Sequence, residues 1–216
     1  MAFFEVDNSV QANKDGGDFL TEGGIYPATI DFVAVKTNSF GARSLDFHVE
    51  INGAKMWLYG LKLDNNDLTE NFQRKTFNKL CTILGLTAIA DPVKMKKKAW
   101  IPAKKAEELD DYNVLNEFSG KKVHIRVRKE FNLYNDEVKE KNIIESFFRI
   151  ADKASAGEIL SGKDIGSQYD KELAKASTPT YKDGLTEESV KEYRKNKKSS
   201  GTPATSTVSA DANLPF

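Results

Sequence analysis

Residues 121–131 alternate between apolar and polar side chains, which constrains this segment to an extended strand. The apolar positions are Val123, Ile125 and Val127, and the positions between and beside them are Lys122, His124, Arg126 and Arg128. Because side chains of a strand point alternately to opposite faces, one face is apolar and the other is basic. The apolar face predicts contact with a core. The basic face either suits an extended anion such as a nucleic-acid backbone or is solvated, which is the commoner case on an antiparallel sheet.

Two further segments with strand composition come earlier in the chain. Residues 24–36 are rich in β-branched and aromatic side chains, and residues 43–51 alternate cleanly between two faces. Asn52-Gly53 is the strongest short hairpin signal, and it leads into a third alternating segment over residues 55–60. These segments predict a meander of three strands.

The period of the apolar residues then changes to that of a helix. Apolar side chains recur at helical spacing from Leu68 to Leu84, Asp67 is placed to cap the start, and Gly85 is suited to the end. Residues 131–136 predict a turn, and residues 141–151 predict a further strand.

Three strands, a helix and two strands is the element order of an OB-fold. We therefore predict a mainly β protein with a five-stranded, OB-fold-like Greek-key barrel and a helix between strands 3 and 4. Other five-stranded arrangements share the same count. This domain spans residues 24–152 and contains a loop or hairpin over 87–118. An arm over 1–23 precedes it, and a weakly helical extension (153–197) and a disordered tail (198–216) follow it.

Composition excludes several classes of protein. The mean hydropathy is −0.52 and no apolar run is long enough to span a bilayer, so we expect no membrane association. The start of the chain lacks the features of a signal peptide. A single cysteine excludes an internal disulfide and fits a reducing compartment. With two histidines far apart and no catalytic constellation of known spacing, we predict no metal, no cofactor and no enzymatic activity.

Net charge is zero, which counts against a simple nucleic-acid binder, but the charges are unevenly distributed. Residues 94–105 contain six lysines and no acid, whereas residues 106–117 contain five acids and no base. Such blocks can give a neutral protein a strongly signed surface. The lysine block is either a flap over a bound strand or a solvated loop.

The third predicted strand carries the rings best suited to stacking on unpaired bases. Trp57 and Tyr59 share a face with Lys55, opposite two residues that already supply an apolar face. Stacking is worth about 1–3 kcal/mol per base, and cations follow the phosphates. Aromatic residues in turns, and Trp100 in the 87–118 segment, are weaker candidates. The predicted nucleic-acid-binding residues are Trp57, Tyr59, Lys55, Lys122, Arg126, Arg128, Lys96, Lys97, Lys98, Arg43, Phe131 and Tyr134.

The element order with a basic, aromatic sheet resembles the bacteriophage relatives of single-stranded-DNA-binding proteins over about residues 20–151. The ending Asp211-Ala-Asn-Leu-Pro-Phe216 is similar to the C-terminal tip of bacterial members of that family. The resemblance implies that Leu214, Pro215, Phe216 and in part Asp211 dock into a basic pocket of a replication or recombination protein. The family's tip has several consecutive acids where this one has only Asp211, which predicts weaker long-range attraction to the partner.

The sequence therefore predicts a phage-type protein, located in the host cytoplasm, that coats single-stranded DNA without sequence specificity and recruits partner enzymes. Two alternatives from other classes stay open. One is a protein-interaction, structural or RNA-binding module on the same barrel. The other is a nuclease or nucleotide-dependent enzyme, which would need clustered acids holding a metal. Oligomeric state stays open as well.

Overall fold

The computed structural model describes residues 20, 22–101 and 106–199, without the side chains of Tyr59 and residues 197–199. The protein is mainly β, as predicted. The elements in chain order are β1 (Gly24–Thr37), β2 (Arg43–Ile51), β3 (Ala54–Lys62), α1 (Arg74–Leu84), β4 (Val93–Ile101), β5 (Ala106–Leu115), β6 (Lys122–Tyr134), β7 (Glu137–Arg149), α2 (Ala156–Ser161), α3 (Ser167–Leu173), β8 (Thr180–Tyr181) and α4 (Glu187–Ser199). The predicted arm over 1–23 and tail over 198–216 lie almost entirely outside the described residues.

The strands form one sheet in the order β4-β5-β1-β2-β3-β7-β6-β8, and β1 pairs additionally with β6. The first half of β1, residues 24–29, pairs with β6, and residues 28–37 pair with β2. β3 meets β7 in parallel at the pair Tyr59–Ile143, whereas β6 and β7 form a long antiparallel hairpin. The described residues thus form one open sheet of eight strands, with β4 and β8 at its edges, where five strands were predicted.

The alternation predicted for β6 correctly identifies the residues of this strand that enter the core. Val123, Ile125 and Val127 of β6 are fully buried, and they pack in one cluster with Phe47 of β2 and Leu58 of β3. α1 covers this cluster with Phe77, Leu80 and Ile83. The turn at Asn52-Gly53 is confirmed, and both residues have the positive φ that a tight hairpin turn requires.

The start of the helix was predicted wrongly, and its end correctly. α1 begins at Arg74, because Asp67 does not cap a helix but accepts hydrogen bonds from the main chain and hydroxyl of Thr69. Leu68 has a φ of 64°, which cannot continue into a helix. Gly85 ends the helix in the left-handed conformation, and its N–H donates to the last turn.

The β6–β7 hairpin is longer than predicted. Residues 131–134, expected in a turn, continue β6 and pair with residues 137–140 of β7. The turn itself is Asn135-Asp136, whose positive φ values suit Asn and Asp. Continued pairing satisfies the main-chain groups, and this outweighs the turn-forming composition of the segment.

The two charge blocks form the opposite strands of the β4–β5 hairpin. Lys96 and Lys97 lie directly across from Asp111 and Asp110, and Lys94 and Lys98 form ion pairs with Asp111 at 3.3 Å and Glu107 at 3.2 Å. The expectation of a strongly signed surface is therefore wrong for this hairpin, because each block lies beside the other. Lys104 and Lys105 lie outside the described residues.

The extension after residue 152 is more ordered than a weakly helical segment. α2, which was not predicted, begins with a capping box between Ser155 and Glu158. β8 pairs with β6, and Tyr169 of α3 packs against Phe148 of β7. Within the described residues no helix combines the length and apolar character needed to cross a membrane.

Gly60 provides a test of the β2–β3 pairing. A β-bulge in β3, between Leu58 and Leu61, brings Gly60 so close to β2 that a Cβ at position 60 would lie 1.0 Å from the carbonyl oxygen of Leu45. We expect Gly60→Ala to lower the free energy of unfolding by about 3 kcal/mol or more, because β2 must move. Urea unfolding measures the change. Gly157→Ala is the matched control, since its new methyl meets no atom within 4 Å. Equal stability of both variants would contradict the close approach.

Candidate nucleic-acid interface

A groove of about 600 Å³ lies between the β4–β5 hairpin and the outer face of β1, β2 and β3. The outer face is the one opposite the main core. Aromatic rings line the groove from both sides, since Trp57 belongs to β3, whereas Trp100 and Tyr112 belong to the hairpin. The polar residues that line it include Lys36, Asp46, His48, Asp110, Asp111 and Asn113.

The alternation of β3 positions Trp57 in the groove. Met56 and Leu58 turn inward and are buried, so Trp57 between them turns outward and remains partly exposed. Lys36, near the end of β1, holds its ammonium 5.0 Å from the centre of the Trp57 ring. The same ammonium lies 2.5 Å from Asp46, a buried carboxylate on β2. The ammonium of Lys36 therefore contacts both the Trp57 ring and the Asp46 carboxylate.

A second small core holds the hairpin over this face. Phe32 and Ala34 of β1 pack with Ala99 and Val114 of the hairpin, separately from the main core. Among the described residues, main-chain pairing attaches the hairpin to β1 at Val33–Leu115 and Ala34–Val114. From this attachment β4 reaches β3, which brings Trp100 to the groove that Trp57 lines.

His48 forms the floor of the groove through its stacking on Phe32. The two rings are 4.1 Å apart and nearly parallel, and Tyr112 contacts both. Burial, and to a smaller extent the charge of Lys36, lowers the pKa of His48 to about 4. His48 is therefore neutral at physiological pH and acts as an aromatic residue in this position.

The basic face predicted on β6 is buried in ion pairs. Arg126 is 8% exposed and pairs with Glu145 at 2.8 Å and with Glu172 of α3. Glu145 is the extra residue of a β-bulge in β7, which allows its carboxylate to reach Arg128 as well, at 2.5 Å. The prediction that Arg126 and Arg128 present a free cationic face is wrong, because acids of β7 and of the extension neutralise them.

Two other predicted residues serve the attachment of the extension. Phe131 is buried, not exposed for stacking; its ring stacks on Tyr181 of β8, and Arg194 of α4 lies over it at 5.1 Å. Arg128 also donates a hydrogen bond to Thr180. The extension thus covers the strand that was predicted to bind DNA.

The remaining predicted residues are dispersed. Lys122 is exposed on β6, Tyr134 lies at the far end of the same strand, and Arg43 is held by Asp64 through two hydrogen bonds. Lys96 and Lys98 are exposed on β4, and Lys97 lies 5.8 Å from the Phe32 ring. Lys55 is exposed two positions from Trp57. The Tyr59 side chain and the residues Asp211, Leu214, Pro215 and Phe216 lie outside the described residues.

The sequence analysis selected Trp57 as a candidate nucleic-acid-binding residue and named Trp100 as a weaker one. It did not select Lys36, His48 or Tyr112, which also line the groove. Side chains alternate between the two faces along β1 and β2, and this alternation places Lys36 and His48 on the same outer face as Trp57. The position of Trp100 depends on how the hairpin folds over the sheet, which no local pattern indicates.

Comparison with protein-family models gives no match, and comparison with curated proteins gives none either. Function is therefore argued from the groove and its residues.

Arg126 provides a test of the ion-pair cluster. Arg126→Met keeps the length of the side chain but leaves Glu172 and Glu145 without this buried cation, so we expect a loss of about 3 kcal/mol of unfolding free energy. Chemical denaturation measures it. Lys122→Met, at the exposed start of the same strand, is the control and should change stability by less than about 0.5 kcal/mol. A stable Arg126→Met protein would show that the cluster contributes nothing to folding.

The lowered pKa of His48 predicts an acid-sensitive fold. Above pH 6.5 both folded and unfolded states are neutral at this residue, and the shift contributes nothing. As pH falls from 6.5 to about 4, only the unfolded state binds the proton, so stability falls by up to about 3 kcal/mol. His48→Phe keeps the stacking and removes the titration.

The measurement is urea unfolding of the parent and His48→Phe proteins between pH 7 and about 4.5. The difference between the two isolates His48 from the carboxylates, which titrate in both. Parallel pH curves would contradict the lowered pKa.

Proposed function

We propose that this protein binds single-stranded DNA without sequence specificity, and that the groove beside Trp57 is the binding site. The observation that carries the proposal is that Trp57 and Trp100, far apart in sequence, line the same groove. Aromatic faces on both sides of a groove suit bases that are not stacked on a complementary strand. A duplex would hide those faces, which favours single strands.

Cations near Trp57 supply contacts for the phosphates. Lys36 lies over the ring, and Lys55 extends from the same strand and the same face, with side chains 56% and 44% exposed. Lys55 is 3.9 Å from Asp31, a distance at which a phosphate competes readily for an exposed lysine. Lys96 and Lys98 on the hairpin are further exposed cations.

We also propose that the central strands form an OB-fold barrel. The cyclic order of pairings through β1, β2, β3, β7 and β6, the parallel β3–β7 contact and the position of α1 after β3 support this arrangement. In OB-folds the face of strands 2 and 3 is a common site for oligonucleotides. His48 and Trp57 occupy that face here. The β4–β5 hairpin is then an insertion before the fourth barrel strand.

The groove itself is tested by replacing its two tryptophans. Trp57→Ala and Trp100→Ala should each weaken binding of an oligo-dT about five-fold or more, since each removes a stacking platform. Fluorescence anisotropy of a labelled oligonucleotide measures the affinity, and affinity should fall with added salt. Phe72→Ala is the matched control, because Phe72 is 77% exposed and does not line the groove. Unchanged affinity in both tryptophan variants would place DNA elsewhere.

We further propose that Leu214, Pro215 and Phe216 recruit a replication or recombination enzyme. Deleting these three residues should leave oligonucleotide affinity unchanged and abolish capture of such enzymes from phage-infected cell extract. Replacing Thr205-Ser206-Thr207 with alanines is the control for a change elsewhere in the same segment. Equal capture by the deleted and full-length proteins would reject this role.

A further inference from the structure

The polar lining of the groove is mainly acidic at neutral pH. Asp46, Asp110 and Asp111 line it, whereas Lys36 is the one lysine or arginine among its described lining residues. Asp46 is paired with Lys36, and Asp111 with Lys94 on the neighbouring strand. His48 adds no positive charge, because it is neutral under these conditions. The groove therefore differs from a basic channel.

An acidic lining determines which part of a nucleotide enters the groove. Carboxylates repel phosphate oxygens, whereas they accept hydrogen bonds from the N–H groups of bases. The side chains of Lys36 and Lys55 are 56% and 44% exposed, and both residues lie on the same outer face of the sheet as Trp57. Bases are thus favoured inside the groove, and phosphates at its margin.

Bases differ in the donors that they offer to a carboxylate. Cytosine has an amine at N4, whereas thymine has an acceptor oxygen and a methyl group on the corresponding edge. A carboxylate has about four acceptor positions, and Asp110 accepts one hydrogen bond, at 2.8 Å, from the main-chain N–H of Asp111. Its other positions suit an amine.

We propose that this groove selects bases that carry an exocyclic amine, and among pyrimidines cytosine over thymine, with Asp110 as the hydrogen-bond acceptor. Asp110 lies on the same face of β5 as Tyr112, whereas Asp111 faces away and pairs with Lys94. The inference rests on the proposed function and adds a preference of base composition to it. The aromatic rings bind any base through its flat face, and Asp110 discriminates between the edges.

The test compares oligo-dC and oligo-dT of equal length at mildly alkaline pH, where cytosine is neutral and oligo-dC stays unpaired. We expect oligo-dC to bind about five-fold or more tightly to the parent protein. Asp110→Asn should bring the ratio towards one, because an amide donates to the thymine oxygen as well as accepting from cytosine. Asp136→Asn, in the β6–β7 turn, removes the same charge away from the groove and should keep the parent ratio.

The outcomes separate this inference from the proposed function. Equal binding of the two oligonucleotides by the parent protein rejects the preference and leaves single-strand binding in place. A cytosine preference that persists in the Asp110→Asn protein rejects this aspartate as the acceptor. Binding of neither oligonucleotide overturns the proposed function, and the inference with it.

Discussion

The long strand β1 is the constraint on which the rest of the structure depends. Its fourteen residues pair with β6 at one end, with β2 along most of the length and with β5 at two positions. A bulge between Ile30 and Phe32 changes the alternation, so that Ile30 and Val33 enter the main core while Phe32 faces the opposite side. One strand therefore belongs to two hydrophobic cores. The second core is what brings the hairpin over the sheet and creates the groove.

Burial gives the arginines of β6 a structural role. Arg126 and Arg128 meet acids from β7 and from the extension in a setting where little water screens them, so each charge needs a partner. The same contacts fasten the extension to the sheet. Lys36 and Lys55, near Trp57, stay more exposed, and exposed lysines exchange partners at low cost. Affinity for phosphate is thus expected on the Trp57 side of the sheet.

Local patterns predicted the parts of the fold that local physics decides. Alternation at Val123, Ile125 and Val127, the turn at Asn52-Gly53 and the helix end at Gly85 all hold in the structure. Errors occur where distant residues decide. The bulge at Glu145 redirects a carboxylate to two arginines, and Glu172 reaches Arg126 from a helix much later in the chain. The positive charges along the β6 sequence do not indicate which acidic residues from other elements will pair with them in the folded protein.

The same reasoning predicted some of the residues that line the groove and missed others. Trp57 was found because its strand alternates regularly, whereas Trp100 required knowledge of how the hairpin lies on Phe32. The segment over 87–118 was predicted as a loop or a hairpin, and the opposite charges of its two blocks favour the hairpin that the structure has. In the structure the two blocks form ion pairs across the strands, between Lys94 and Asp111 and between Lys98 and Glu107.

The β4–β5 hairpin makes few contacts with β1, so the residues that line the groove on the hairpin are largely distinct from those that form the main core. In the part of the hairpin that the structure describes, two main-chain residue pairs and the small second core join it to β1, whereas the main core is built from other residues. Substitutions near Trp100 are therefore expected to have little effect on the stability of the rest of the chain. Such a division would let selection alter the specificity of the proposed groove while the scaffold stays unchanged.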